Sequence, residues 1–200
     1  MKIDIGCGKN KKGQDFIGID QYPMEGVDIV CDLTNPWPIE DNCVTEFHCS
    51  HVLEHLTNLE NRWERVHFFN ELFRVLKPGK YDNGKPIEGF GTLIFPHWAS
   101  QRYYGDPTHK EPFSEFGFYY LSKLWRLGGK DESNGNIIAA NAPHSDISWN
   151  KNGYNCNFDF YIGHSLGATL IGRNQEYINF ALQNYKEAAA DIVATLVKKV

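Results

Sequence analysis

Short apolar segments separated by polar turns fill the first hundred residues, and this alternation limits the folds open to the chain. The segments end at glycine, aspartate or other small or polar residues and are too short for buried helices. The pattern predicts strands over residues 2–5, 16–19, 27–31, 44–49 and 92–95. Because helical or turn segments lie between these strands, we predict an α/β fold of three layers, a Rossmann-like sandwich with a mostly parallel sheet.

One long helix is predicted between the fourth and fifth strands. Over residues 60–76, apolar side chains recur at the spacing of a single buried helix face, and Pro78 with Gly79 ends the pattern. Residues 80–89 are predicted as a turn-rich excursion and residues 130–153 as the most loop-like region. The second half adds a predicted strand over 157–162, a helix over 174–189 and a terminal strand over 192–197.

Length, charge and cysteine content exclude several classes of protein. A chain of 200 residues with 42% hydrophobic residues is expected to form one globular domain. The net charge of −5 offers no general attraction for nucleic acid, and no apolar run is long enough to span a membrane. Five cysteines without a C-x-x-C pair favour neither disulfides nor structural zinc, so we expect a reducing, cytoplasmic location.

The ends of the first two predicted strands carry residues suited to ligand binding. Gly6 and Gly8 follow the first strand, where the absence of a Cβ lets the backbone turn sharply and approach a ligand. Asp20 follows the second strand, and its carboxylate can accept hydrogen bonds from two ribose hydroxyl groups. In an open parallel sheet, ligands bind beyond these carboxyl ends of the strands.

Five segments in chain order together resemble the class I S-adenosylmethionine-dependent methyltransferases, most closely the group named type 11. They are Asp4-Ile5-Gly6-Cys7-Gly8, Gly18-Ile19-Asp20, Cys31-Asp32-Leu33, Val52-Leu53-Glu54-His55 and Phe73-Arg74-Val75-Leu76-Lys77-Pro78-Gly79. The resemblance covers about residues 2–110. It implies that S-adenosylmethionine is the cofactor, that residues 1–110 form a cofactor-binding half, and that residues 111–200 form a substrate-binding and covering half of the same domain. It also implies that the terminal strand is inserted antiparallel.

The resemblance implies a role for each residue that follows a strand. The glycine loop holds the methionine half of the cofactor, the acid after the second strand binds the ribose, and the aspartate after the third binds the adenine amino group. Residues just past the fourth strand lie beside the methionine moiety and the methyl group. The cofactor-binding residues so assigned are Asp4, Gly6, Cys7, Gly8, Asp20, Asp32, Leu33, Ser50 and His51.

The chain departs from the family's pattern at its first crossover. Only three residues precede Asp4, and only seven polar residues separate Gly8 from Phe16, whereas a parallel crossover usually needs a dozen residues or more. We therefore expect a tight loop in place of the usual helix, with one sheet face less covered. The second half of the chain or a homodimer partner could cover that face.

Two other motifs offer alternative functions. Gly163-His164-Ser165-Leu166-Gly167 fits the G-x-S-x-G pattern of hydrolases, but no histidine follows Ser165 to complete a triad, so a flexible turn is expected. His51-Val52-Leu53-Glu54-His55 fits the H-x-x-E-H pattern of zinc peptidases. Because it coincides with the strand-to-helix junction of the methyltransferase pattern, we predict no metal there.

The segment after the fifth strand is the expected substrate side. Between Pro96 and Lys110 it contains two histidines, and a histidine can remove a proton from an alcohol or amine. His109 is the first candidate for such a base and His97 the second, although both could serve only to fold the loop. The predicted function is methyl transfer to an oxygen or nitrogen of a small molecule, glycan or lipid headgroup. A non-catalytic cofactor-binding module is the alternative.

Overall fold

A computed structural model describes residues 1–59, 62–126 and 153–200. Its strands are β1 (Lys2–Ile5), β2 (Phe16–Asp20), β3 (Ile29–Val30), β4 (Glu46–Ser50), β5 (Lys80–Asp82), β6 (Lys85–Glu88), β7 (Phe90–Pro96), β8 (Phe158–Leu166) and β9 (Ala189–Lys198). Its α-helices are α1 (Glu64–Val75), α2 (Gln101–Tyr104), α3 (Lys123–Arg126) and α4 (Gln175–Asn184), and 3-10 helices span Leu53–His55, Glu115–Leu121 and Ala168–Leu170.

Seven of these strands form one sheet in the order β3-β2-β1-β4-β7-β9-β8. The first five are parallel to one another, whereas β9 lies between β7 and β8 and is antiparallel to both. The predicted α/β class, the mostly parallel sheet and the inserted antiparallel terminal strand are therefore confirmed. From β1 the strand order runs through β2 to β3 on one side and through β4 to β7 on the other. The carboxyl ends of β1, β2 and β4 therefore lie at a switch point, the place where open sheets bind ligands.

One face of the sheet carries the main core. Alternate residues of β1, β4 and β7 point to it and are at most 1% exposed: Ile3, Ile5, Phe47, Cys49, Leu93 and Phe95. They join one buried cluster with Phe68, Phe69 and Leu72 of α1. The helix begins directly after Trp63, which has a left-handed conformation with a φ of 54°. The Asn58 side chain accepts hydrogen bonds from the Arg65 and Val66 N–H groups of its first turn.

The opposite face is less covered, as the short first crossover leads one to expect. Residues 6–15 join β1 to β2 as a tight loop without a helix, and Lys12 N–H donates to the buried Asp4 carboxylate at 2.7 Å. Beyond that loop, Thr92 and Thr195 are half-buried and Tyr161 is 54% exposed. The loop takes the place of a crossover helix over β1 and β2 only, and β7, β8 and β9 lie outside the area that such a helix would cover.

Several predicted boundaries were wrong. The long helix begins at Glu64 instead of residue 60, which lies outside the described residues, and the 80–89 excursion is an antiparallel hairpin of β5 and β6. The third strand has only two residues, Ile29 and Val30, because in the predicted range 27–31 only these two pair with β2. The helix predicted over 174–189 ends at Asn184, and Ala189 already belongs to β9. The loop predicted over 130–153 lies almost entirely outside the described residues.

The strand predicted over 157–162 continues to Leu166, so the G-x-S-x-G segment is no flexible turn. Gly163, His164 and Ser165 pair with β9 as regular strand residues, and the register shifts only between Ser165 and Leu166. A nucleophile elbow needs a sharp turn at the serine, and this geometry does not provide one. No helix in the described parts of the chain is long and apolar enough to cross a bilayer.

Candidate functional site

A cleft of about 480 Å³ lies where the carboxyl ends of β1, β2 and β4 meet. Its volume falls within the range of small-molecule sites, roughly 300–1,000 Å³. We call it the strand-end cleft. Its lining residues are Gly6, Asp20, Gln21, Tyr22, Asp32, Leu33, Thr34, His51, Val52, His55, Leu56, Thr108 and Lys110.

The turn after β1 forms one wall of the cleft because its first residue has no side chain. Gly6 has a φ of +68°, and a Cβ there would lie 2.1 Å from Cγ2 of Val52. The Gly6 and Cys7 N–H groups both donate to the Ile19 carbonyl, at 2.8 and 3.1 Å. Any side chain at position 6 would therefore strain the turn and push against the cleft wall.

Asp20 is held with its carboxylate at the cleft by two backbone donors. Oδ2 accepts the Gly8 N–H at 3.0 Å, and Oδ1 accepts the Tyr22 N–H at 3.1 Å. A carboxylate has about four acceptor positions, so each oxygen can still accept from a ligand. Gly8 does not line the cleft and contributes by fixing this carboxylate.

The turn after β3 supplies a second carboxylate and an apolar surface. Asp32 Oδ1 accepts the Thr34 N–H at 2.9 Å and the Thr34 hydroxyl at 2.8 Å, which lowers the pKa of Asp32. Asn35 donates to the other oxygen at 3.1 Å. Leu33 is 9% exposed and belongs to the main core, so its side chain anchors this turn.

His51 follows β4 and lines the cleft in a left-handed conformation, with a φ of 58°. Its Nδ1 lies 3.0 Å from Oε1 of Glu54, and this hydrogen bond raises the pKa of His51. The Glu54 side chain is only 2% exposed, so the histidine ring covers a buried carboxylate.

Four residues predicted from the glycine loop and the fourth strand do not line the cleft: Asp4, Cys7, Gly8 and Ser50. Asp4 is 3% exposed and accepts from Lys12 N–H, and its Oδ1 lies 2.7 Å from His48 Nδ1. It therefore supports the tight crossover loop from beneath.

The two histidines predicted as bases lie at different depths. His97 is fully buried, its Nδ1 accepts the Ala99 N–H at 3.2 Å, and its Nε2 lies 3.2 Å from Glu115. Both ring nitrogens are thus engaged away from the cleft. The His109 side chain is 7% exposed and does not line the cleft, whereas Thr108 of the same segment does.

The cleft residues that the sequence analysis missed include two informative kinds. One kind directly follows a predicted residue, as Gln21 and Tyr22 follow Asp20, and the same strand-end argument could have included it. The other kind comes from the segment after β7, where Thr108 and Lys110 reach the cleft. The Lys110 N–H donates to the Glu54 carbonyl at 2.9 Å, a contact across 56 positions that no local spacing predicts.

Solved structures with the same architecture are described as S-adenosylmethionine-dependent methyltransferases. One from Archaeoglobus fulgidus has a TM-score of 0.59 at 17% identity, covering 98% of this chain and 85% of its own. One from Mesorhizobium loti has a TM-score of 0.51 at 10% identity, covering 98% of this chain and 90% of its own. A complex of the Haloferax volcanii Trm112 methyltransferase activator with a putative methyltransferase gives 0.50 at 9%, covering 100% and 82%.

This chain has the class I methyltransferase fold. The strand order, the inserted antiparallel strand and the position of the cleft all agree with it. No protein-family model and no curated protein sequence matches the chain. At sequence identities of 17% and below, the structural similarity shows the fold alone, and function depends on the site that the fold carries.

Proposed function

We propose that this protein transfers a methyl group from S-adenosylmethionine to an oxygen or nitrogen atom of a small molecule, a glycan or a lipid headgroup. The observation that carries the proposal is the Asp20 carboxylate, oriented by two backbone N–H groups at the strand-end cleft of a methyltransferase fold. Carboxylate oxygens in this position suit the two hydroxyl groups of a ribose.

The residues around the cleft fit the chemical parts of this cofactor. Asp20 would accept the ribose hydroxyl groups, and Asp32 with Leu33 would contact the adenine. Gly6 leaves space for the methionine half because it carries no side chain. His51 would border the methionine moiety from the end of β4. Cys7 and Ser50 stay predictions from the family resemblance.

S-adenosylmethionine supplies a methyl group on a sulfonium, which a nucleophile displaces in line. Such a reaction depends mainly on positioning, and a base is needed only when the nucleophile starts protonated. His97 is unsuited to that task, since both of its ring nitrogens are engaged and its side chain is fully buried. His109 does not line the strand-end cleft, and its role as a base stays a prediction.

A second cleft favours an acceptor larger than a single functional group. It has a volume of about 540 Å³ and lies beyond β7, at the same edge of the sheet. Trp98 and Tyr104 line it and are 38% and 71% exposed. Exposed aromatic rings bind the apolar faces of sugars and other flat groups. The net charge of −5 argues against free nucleic acid as the acceptor.

Titration calorimetry with S-adenosylmethionine and S-adenosylhomocysteine tests the cofactor assignment. Asp20→Ala should weaken both affinities at least about tenfold, because each hydrogen bond to a charged group contributes about 1.5–3 kcal/mol. Asp15→Ala is the matched control. Asp15 is also an aspartate near β2, but it is exposed and pairs with Lys2.

Two results would contradict the proposal. One is a wild-type chain that binds neither compound at millimolar concentration. The other is an equal loss of affinity in Asp20→Ala and Asp15→Ala, because the strand-end cleft would then not be the binding site. Binding without methyl transfer to any acceptor in a broad screen would instead support the non-catalytic module.

A further inference from the structure

Glu54, His55 and His109 form a group next to the strand-end cleft, which we call the cleft cluster. Each offers one ligand atom, a carboxylate oxygen or an imidazole nitrogen, and these three atoms lie within 4.8 Å of one another. The residues come from distant parts of the chain, because the first two lie in the 3-10 helix after β4 and His109 lies in the segment after β7. One metal ion can bind side chains at this separation.

The carboxylate of this cluster lacks a partner for one of its oxygens. The Glu54 side chain is 2% exposed, and within the described residues its Oε2 has no hydrogen-bond partner. Oε1 receives the His51 contact at 3.0 Å and lies 3.9 Å from His109 Nε2. A buried, ionised carboxylate with a free oxygen is unfavourable unless a cation or another donor binds it.

The histidine rings are oriented as they are in metal sites. His109 Nδ1 lies 2.7 Å from the Tyr103 carbonyl, which can only accept, so Nδ1 carries a proton and Nε2 is the nitrogen that offers a lone pair in the neutral ring. That Nε2 lies 3.9 Å from Glu54 Oε1 and 3.8 Å from Asp106 Oδ2. His55 Nδ1 faces the carbonyl and hydroxyl oxygens of Thr108, at 3.4 and 3.3 Å. Metal-binding histidines commonly use the second ring nitrogen for such a contact to a carbonyl.

We propose that the cleft cluster binds one divalent transition-metal ion, with Zn²⁺ as the expected ion. Two imidazole nitrogens and one carboxylate oxygen are a ligand set used by catalytic zinc, which leaves a fourth position open for water or a ligand oxygen. His55 and Thr108 line the strand-end cleft, so the metal would adjoin the bound ligand. This inference replaces the prediction that the H-x-x-E-H segment binds no metal, and it does not depend on the proposed function.

Metal titration of the chelator-treated full chain tests the site without any other ligand. Calorimetry with Zn²⁺ should give one site per chain. Co²⁺ should give a visible spectrum without the charge-transfer band of a thiolate ligand, which separates this site from the five cysteines. His55→Ala and Glu54→Gln should each weaken binding by roughly 100-fold or more, since even residues behind the ligands contribute 10–100-fold.

A second group of two histidines and one glutamate supplies the matched control. It consists of His97, Glu115 and His164, which we call the β7–β8 cluster, and its possible ligand atoms also lie within 4.8 Å. Glu115→Gln removes the same charge as Glu54→Gln but should leave zinc affinity unchanged. Asp20→Ala should also bind zinc like the wild type, so the zinc result can be interpreted even if the cofactor assignment fails.

Three results would overturn the inference. The first is a wild-type chain that binds no Zn²⁺ at micromolar concentrations. The second is zinc binding that His55→Ala and Glu54→Gln leave unchanged, because the ion would then bind elsewhere. The third is a loss of binding in Glu115→Gln alone, which would assign the metal to the β7–β8 cluster. Circular dichroism of each variant checks that a loss of binding is not a loss of fold.

Discussion

The cleft cluster and the β7–β8 cluster contain the same residue types but differ in how their hydrogen bonds are satisfied. In the β7–β8 cluster, Oε1 of Glu115 is 3.2 Å from His97 Nε2 and 2.8 Å from His164 Nε2. His97 uses its other nitrogen for the Ala99 N–H. In the cleft cluster, by contrast, one oxygen of a more deeply buried carboxylate has no partner in the described residues.

This difference separates a structural role from a binding role. Polar groups that satisfy one another lock neighbouring segments together, and the β7–β8 cluster joins the end of β7 to β8 and to the 3-10 helix at Glu115–Leu121. A buried polar group without a partner destabilises the protein unless something binds it. Residue type and proximity alone therefore do not identify a metal site. The two clusters are distinguished by whether the second imidazole nitrogen and the second carboxylate oxygen have hydrogen-bond partners.

The largest expected effect on stability is at the centre of the β7–β8 cluster. His97→Ala should lower the free energy of unfolding by about 3 kcal/mol, because it leaves the Ala99 N–H without an acceptor and creates a cavity at a fully buried position. Urea unfolding followed by circular dichroism measures the change. A loss below about 1 kcal/mol would mean that this cluster does not lock the fold.

Zinc should stabilise the wild type by nearly as much. A ligand at 100 times its dissociation constant adds about 2.7 kcal/mol to the free energy of unfolding when it binds only the folded state. Thermal unfolding with and without Zn²⁺ should show that the ion raises the Tm of the wild type and of Glu115→Gln, and leaves the Tm of Glu54→Gln unchanged. An equal increase in both variants would remove the distinction between the two clusters.

Glu115 should make a smaller, pH-dependent contribution. Although burial opposes it, hydrogen bonds from His164 and His97 hold the pKa of Glu115 below the ordinary value of 4.5. A lowered folded-state pKa stabilises the protein above that ordinary value, and the stabilisation is lost as the pH falls below it. The side chain is 33% exposed, so screening limits the effect to about 1 kcal/mol.

Comparing wild type with Glu115→Gln across pH measures this contribution. The variant should be less stable at pH 7. The difference should shrink as the pH falls below 4.5, because the Glu115 carboxylate of the unfolded wild type then takes up a proton before that of the folded protein does. A stability difference that stays constant with pH would mean that the charge of Glu115 does not matter.

The fold could be predicted from sequence because it depends on local patterns. Buried parallel strands such as β1 and β4 are short apolar runs, and α1 repeats apolar residues at helical spacing. The antiparallel insertion of the terminal strand was predicted only from the family resemblance, since pairing across the sheet leaves no local signal. The hairpin of β5 and β6 was missed because its residues are polar and exposed.

The site was predictable only where it follows a strand. Gly6 directly follows β1, Asp20 is the last residue of β2 and Asp32 lies two positions after β3, so their positions follow from the strands. His109 joins the cleft cluster through a contact 55 positions from Glu54, and the H-x-x-E-H spacing contains only two of the three proposed ligands. Local spacing therefore gave no reason to prefer a metal site over a strand-to-helix junction for that segment.

The smallest expected effect is the one that most directly tests the unpartnered oxygen of the cleft cluster. Without metal, Glu54→Gln should change the free energy of unfolding by less than about 1 kcal/mol, and we expect a gain, because the amide keeps the shape and removes a buried charge. Urea unfolding of chelator-treated wild type and variant measures this. A loss above about 2 kcal/mol would mean that the Glu54 carboxylate already has the partners it needs in the metal-free protein, as Glu115 does. The two clusters would then be alike, and the structural reason for placing a metal in only one of them would be gone.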